Sequence, residues 1–179
     1  MKPDVLCCSE AWLLSDTLEK DMEIPPYEAH LNSFGRGKGL ATYYNGSFNV
    51  DGSIKNENFQ LTKITSAKLD VINVYLSDKA KSSIVLDSFL KLINFEKSTI
   101  LCGDFNICFK QERHDKIILD LESLGFQQLT MVSTHIQGGH IDHVYLLDVR
   151  SEVKVDVSLH SPYYGARDHD ALLINVTFN

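Results

Sequence analysis

Four short stretches of the chain combine carboxylates, an amide and imidazoles, and each lies where a strand-like segment ends or begins. The first is Ser9-Glu10-Ala11-Trp12, which closes the apolar run from Val5 to Ser9. A carboxylate at that point can hold Mg²⁺, a cation that prefers oxygen ligands. The plainer reading is a solvated Glu at a strand end. The second is Gly103-Asp104-Phe105-Asn106, after the fully apolar Thr99 to Cys102. If the backbone stays extended there, Asp104 and Asn106 project to the same side, because side chains alternate with period two. Asp104 can then orient and deprotonate a water, and Asn106 can donate to a phosphoryl oxygen. Gly103 lets the backbone bend or approach a ligand closely. The plainer reading is an Asx-type turn after a strand.

The third stretch is Ile141-Asp142-His143-Val144-Tyr145, inside an alternating segment. Alternation puts Asp142 on a face that the fold can cover, where it needs a partner. The other reading leaves that face wet and places His143 indoors. The fourth is Arg167-Asp168-His169-Asp170, before the last strand-like run. His169 can donate a hydrogen bond to a phosphoryl oxygen as charge develops there, and a carboxylate such as Asp142 behind it favours the imidazolium form. A charged surface turn is the alternative.

These stretches need strands to carry them. Apolar or alternating patterns predict strands at Val5–Ser9, Ala29–Asn32, Leu40–Tyr44, Phe59–Thr65, Leu69–Tyr75, Thr99–Cys102, Ile141–Leu147, Val153–Leu159 and Ala171–Val176. Helical periodicity appears twice. Over Ser82–Phe95 the stripe is Val85, Leu86, Phe89, Leu90 and Ile93, with Ser82 or Ser83 as cap. Over Asp115–Leu124 it is Ile117, Ile118, Leu121 and Leu124, with Gly125 as the stop. Ser15 to Tyr27, with Pro25-Pro26, reads as loop, and Gly35 to Gly39 as a flexible turn. Strands in the majority with two helices predict a layered α/β (α+β) fold. No linker or repeat divides the chain, so residues 1–179 are read as one domain.

Composition sets limits on these readings. With 179 residues, 44% of them apolar, the chain can build a real core. No apolar run nears the roughly 20 residues of a membrane span, so no membrane partner is expected. A net charge of −7 counts against a simple basic nucleic-acid-binding face, yet suits carboxylates that hold divalent cations, since bound metal reverses the local sign. Cys7, Cys8, Cys102 and Cys108 contain no CxxC pair, which argues against zinc and for reduced thiols in an intracellular protein.

In order and spacing, the four motifs resemble the endonuclease/exonuclease/phosphatase family, which includes abasic-site endonucleases, pancreatic-type deoxyribonucleases, deadenylases, inositol polyphosphate phosphatases and endonucleases of non-LTR retrotransposons. The pattern reads Pro3-Asp4-Val5-Leu6 leading to Glu10-Ala11-Trp12-Leu13, then Gly103-Asp104-Phe105-Asn106, Ile141-Asp142-His143-Val144 and Asp168-His169, and the resemblance runs from Pro3 to Val176. Glu23 to Glu28 with Gly35 to Ala41, and Thr134 to Gly139, are similar to segments of mobile-element endonuclease domains; Asn73-Val74-Tyr75 resembles a strand ending in an active-site tyrosine.

The resemblance implies a four-layered sandwich of two mixed β-sheets with helices outside. It implies that Glu10 binds Mg²⁺ or Mn²⁺ with Asp168 beside the metal, and that Asp104 activates the water with Asn106 in support. It further implies that Asp142 orients His169, that His169 stabilises the phosphoryl charge, and that Tyr75 contacts the phosphate. The implied activity is hydrolysis of nucleic-acid phosphodiesters, DNA ahead of RNA. The alternatives are a degenerate or truncated non-enzymatic module and a phosphatase of a small phosphorylated substrate. Two departures stand out. The family's first strand, ending in Asn upstream of the Glu motif, is not found here, so the expected sandwich is N-terminally truncated or has its gap filled by another segment. The chain is also short for the family and lacks evident DNA-gripping insertions.

Overall fold

The computed structural model of the protein describes residues 2–11, 13, 19–32, 38–109, 115–130, 132–160 and 168–179. Its strands are β1 (Val5–Cys8), β2 (Glu28–Asn32), β3 (Leu40–Tyr44), β4 (Asn49–Lys55), β5 (Phe59–Thr65), β6 (Asp70–Leu76), β7 (Thr99–Asp104), β8 (Gln127–Gln128), β9 (Asp142–Leu147), β10 (Val153–His160) and β11 (Ala171–Phe178). Helix α1 (Ser82–Leu92) joins β6 to β7, and α2 (Lys116–Ser123) lies between β7 and β8.

A six-stranded mixed sheet runs β4-β5-β6-β7-β9-β8, with β6 and β7 parallel and every other neighbouring pair antiparallel. The strands at its centre are buried almost throughout because both faces are covered. On one face Leu61, Ile72, Val74, Leu101 and Tyr145 pack under Val85 and Phe89 of α1 and Ile117, Ile118 and Leu121 of α2. On the other, Ile64, Val71, Ile100, Cys102, Val144 and Leu146 meet Val5 and Cys7 of β1 and the alternating apolar residues of β10 and β11. The result is an α/β sandwich of two β-layers with helices on the outside of the larger one. The second β-layer comes in two pieces, β1-β3-β2 and the β10-β11 hairpin. No described helix is long and apolar enough to cross a membrane.

Several local expectations change. Strand β4 has no counterpart among them: Asn49-Val50-Asp51-Gly52-Ser53 has no sustained alternation, and the strand carries an irregularity between Val50 and Gly52 that breaks its period. A 3-10 turn at Glu19–Met22 interrupts the expected loop. Helix α1 is capped by neither serine; Lys81 occupies the N-cap with no side-chain cap bond. Its buried stripe is Val85, Ser88, Phe89 and Leu92, while Leu90 faces out. Asp115 does cap α2, its carboxylate accepting from the Ile117 N–H, and Gly125 follows at φ +90°. Cys8 is exposed, and Cys7 is turned toward Cys102.

The parallel seam between β6 and β7 depends on one glycine. Gly103 lies opposite Val74 at φ +140°, and a Cβ there would stand 2.0 Å from the Val74 carbonyl oxygen. We expect Gly103→Ala to cost roughly 3 kcal/mol or more in urea denaturation, because neither backbone can yield. A loss under about 1 kcal/mol would show that the seam relaxes.

Candidate active site

The register of the large sheet sets one end of it apart. Tyr75 on β6 lies opposite Asp104 on β7, and Asp104 lies opposite Asp142 on β9. By strand parity all three point the same way as Val71, Ile100 and Val144, into the space between the β-layers. The smaller pieces of the second layer complete the site. From the end of β1, the Ser9 hydroxyl donates to the Val74 carbonyl and accepts from the Asp104 N–H, at 3.2 and 3.4 Å, which ties this strand to the β6–β7 seam. Glu10 follows with its side chain exposed. Ahead of β11, His169 donates from Nδ1 to Asp142 Oδ2 at 2.8 Å.

Strand β7 ends at Asp104, so the extended continuation to Asn106 is not what forms. Asn106 takes φ +51°, its N–H donates to Asp104 Oδ1 at 2.8 Å, and its Nδ2 donates to the Leu76 carbonyl at 2.8 Å and Asp104 Oδ2 at 3.2 Å. This is the Asx-type turn, and it places the amide against the Asp104 carboxylate. Glu10 also has positive φ, +50°. Side chains other than Gly rarely adopt that conformation, and such strain collects at functional sites.

The electrostatics follow from burial and crowding. Asp104 is 3% exposed. Burial and then the Asp142 charge push its carboxyl up to about 7, against the opposing pull of the Asn106 N–H and His169, with Glu10 adding to the rise. The Asp142 hydrogen bond, partly offset by burial, raises the His169 imidazole to about 9, so the ring is an imidazolium at neutral pH with Nε2–H free of Asp142. The Tyr75 phenol is pushed well above its ordinary range by burial and then by the Glu10 carboxylate, which keeps its hydroxyl protonated.

A second imidazole supports the site from the helical side. Asp142, its side chain partly exposed, faces the inter-layer site, and His143, next along the strand, is fully buried on the opposite face. His143 Nε2 meets two carbonyls, Ile107 at 2.9 Å and His140 at 3.1 Å, so it carries the hydrogen; Nδ1 accepts from the Tyr145 hydroxyl at 3.1 Å. Its ring stacks on Phe105 at 4.8 Å. His143 thereby fixes the loop that follows Asp104. Burial pushes its imidazole down to about 4, despite the carbonyl bonds.

No protein-family profile matches the chain, and no curated protein matches it by sequence. Solved structures do match. An AP endonuclease from Archaeoglobus fulgidus superposes with TM-score 0.69 at 18% identity, over 99% of this chain and 89% of that one. The 3′ phosphatase NExo from Neisseria, bound to a product DNA hairpin, gives 0.67 at 16%, over 99% and 89%. An endonuclease/exonuclease/phosphatase family protein from Bacteroides thetaiotaomicron gives 0.65 at 15%, over 98% and 84%. The chain has the endonuclease/exonuclease/phosphatase fold.

Within this fold the sequence-predicted residues divide. Tyr75, Asp104, Asn106, Asp142 and His169 converge through register and hydrogen bonds, and Glu10 lies within electrostatic reach of Tyr75 and Asp104. Asp168 is exposed and acts on His169 through its charge. Trp12 and Arg167 lie outside the described residues, as do Gly35 to Gly37 of the glycine-rich turn. Among the described residues no group of three His, Cys, Asp or Glu is set to hold a metal ion. Two contributors were not singled out from sequence. Ser9 carried no distinct signal. His135 did carry one: it sits in the Thr134–Gly139 run, and its ring packs edge-on against His169 at 5.0 Å.

Two measurements check these shifts. In Asp142→Asn the His169 ring, followed by NMR, should titrate at least about one unit lower, toward the ordinary value of about 6.5; an unmoved titration would rule out Asp142 as its main partner. For His143 the folded value lies below the unfolded one, so its contribution is complete above about pH 6.5 and is lost as pH falls toward about 4. The stability advantage of wild type over His143→Phe should therefore shrink by up to about 1.4 kcal/mol per unit across that window. A pH-independent difference would contradict a buried neutral ring.

Proposed function

We propose that the protein is a metal-dependent phosphodiesterase that hydrolyses nucleic acid, DNA ahead of RNA. The observation that carries this reading is the Asp142–His169 pair at 2.8 Å beside the buried Asp104: an acid near neutral pKa and a cationic donor share one site. The Neisseria 3′ phosphatase of the same fold holds a DNA product, which supports nucleic acid as the substrate class.

In this reading Asp104, raised to about 7, takes the proton of an attacking water. Asn106 holds the carboxylate in position through the turn it closes. His169 donates from Nε2 to a non-bridging phosphoryl oxygen as negative charge grows there. Tyr75, kept protonated, donates to the phosphate from the opposite end of the row.

The donor set fits a hard divalent cation. Glu10, Asp104 and Asp168 offer only oxygen, and Asp104 is burdened by like charges that a cation would relieve. Mg²⁺ keeps several waters and needs one or two carboxylates, so a three-carboxylate cage is not required. Glu10 is the residue to hold it, with Asp168 at the rim. When bound, Mg²⁺ or Mn²⁺ supplies charge neutralisation at the phosphate and leaving oxygen.

The test is incubation with supercoiled plasmid and a labelled oligonucleotide in millimolar Mg²⁺. Wild type should cut, EDTA should stop it, and Asp104→Asn and His169→Ala should each lose about 10² to 10⁴ in kcat/KM. The alkaline limb of kcat/KM should fall near about pH 9, where His169 loses its proton, and lower in Asp142→Asn. Cutting by Asp104→Asn at the wild-type rate would refute this assignment. Phosphate release from small phosphoesters with no cutting of nucleic acid would favour the phosphatase alternative.

A further inference from the structure

A turn beside His169 holds an apolar side chain out in solvent. Ile136 is 74% exposed, more than any other large apolar side chain among the described residues. The turn beneath it is locked. Thr134 and His135 N–H groups donate to the Gly139 carbonyl, the Gly138 N–H donates to the His135 carbonyl, and the Gln137 N–H donates to His135 Nδ1. Gly138, at φ +83°, supplies the left-handed residue that the turn needs.

The turn is also fastened to the candidate active site. The Ile136 N–H donates to the Asp168 carbonyl at 2.9 Å, the Asp170 N–H donates to the Thr134 carbonyl at 2.7 Å, and His135 and His169 form an antiparallel bridge. Ile136 thus stands one residue from the ring that packs on His169, on a backbone shared with Asp168 and Asp170. An aliphatic group fixed in this way loses little conformational freedom when something covers it. A small, fully hydrated phosphoester has no apolar surface to offer it. A nucleotide chain does, in its sugars and base faces.

We infer that Ile136 is a specificity-determining residue that lies against the apolar face of a nucleoside next to the scissile phosphate, so that the site favours nucleic acid over small phosphoesters. This rests on the hydrolase reading proposed above.

The experiment compares wild type, Ile136→Ser and Ile136→Leu in Mg²⁺ on two substrates, a fluorescent oligonucleotide and glycerophosphoglycerol, a small diester whose two arms are hydroxylated and carry no ring. For Ile136→Ser, KM for the oligonucleotide should rise about fivefold to tenfold relative to KM for the small diester, the size expected of one aliphatic contact. Ile136→Leu should restore it. Equal KM ratios in wild type and Ile136→Ser, with wild type active, would overturn the inference alone, as would a parallel loss on both substrates with a lowered melting temperature. A wild type inactive on both substrates would overturn the hydrolase reading and this inference with it.

Discussion

Carboxylates crowd at one end of the large sheet around the buried Asp104, and much of the site is organised by what compensates them. Asp104 and Asp142 lie directly opposite each other on β7 and β9, a like-charged pairing that sheets ordinarily avoid. Burial makes it worse, because low dielectric strengthens the repulsion and removes hydration. The compensation is local: the Asn106 N–H and amide on one side, and the His169 imidazolium on the other. Remove either support and the remaining charge is left uncompensated in the interior. An acid pushed toward neutral pKa beside a cationic donor is the arrangement that general acid–base chemistry uses.

Holding that row requires rigidity beneath it. Gly103 lets β6 and β7 approach so closely that Tyr75 and Asp104 become neighbours. His143 braces the loop after Asp104 from the helical face, with both ring nitrogens occupied. Two of the three described non-Gly residues with positive φ are Glu10 and Asn106, so the strain of the backbone is concentrated at the site. The surroundings over-determine these conformations, as stored strain demands. The contrast is with the second β-layer, whose two pieces pack on the same apolar face and leave the inward valines of β10 only half-buried.

The sequence was most legible where one period dominates. Thr99 to Cys102 read as a central strand because both of its faces are apolar, and α2 read correctly from its stripe and from Gly125. It was least legible where neighbours decide. Strand β4 is an edge strand whose pattern is broken at Gly52, and it exists because β5 offers it hydrogen bonds. The Ser82 and Ser83 caps failed because both serines lie inside α1, which already begins after Lys81. For the motif around Asp142 the alternation was legible but the degree of cover was not: His143 is fully buried toward the helices, while Asp142, at the strand's end, stays partly exposed.

By itself, then, the sequence determined which chemical groups exist and which strand ends carry them: an acid after β1, an acid and amide at the end of β7, an acid opening β9 and a histidine before β11. Period-two alternation and the chain's punctuation are local properties, and local properties survive in one dimension. Only the tertiary structure decided that Asp104 stands opposite Asp142, that His169 reaches Asp142 from another layer, and that Ser9 and His135 belong to the same site. Those facts are set by inter-strand register and by layer packing. Both are fixed by contacts between residues tens of positions apart, and no window along the chain contains them.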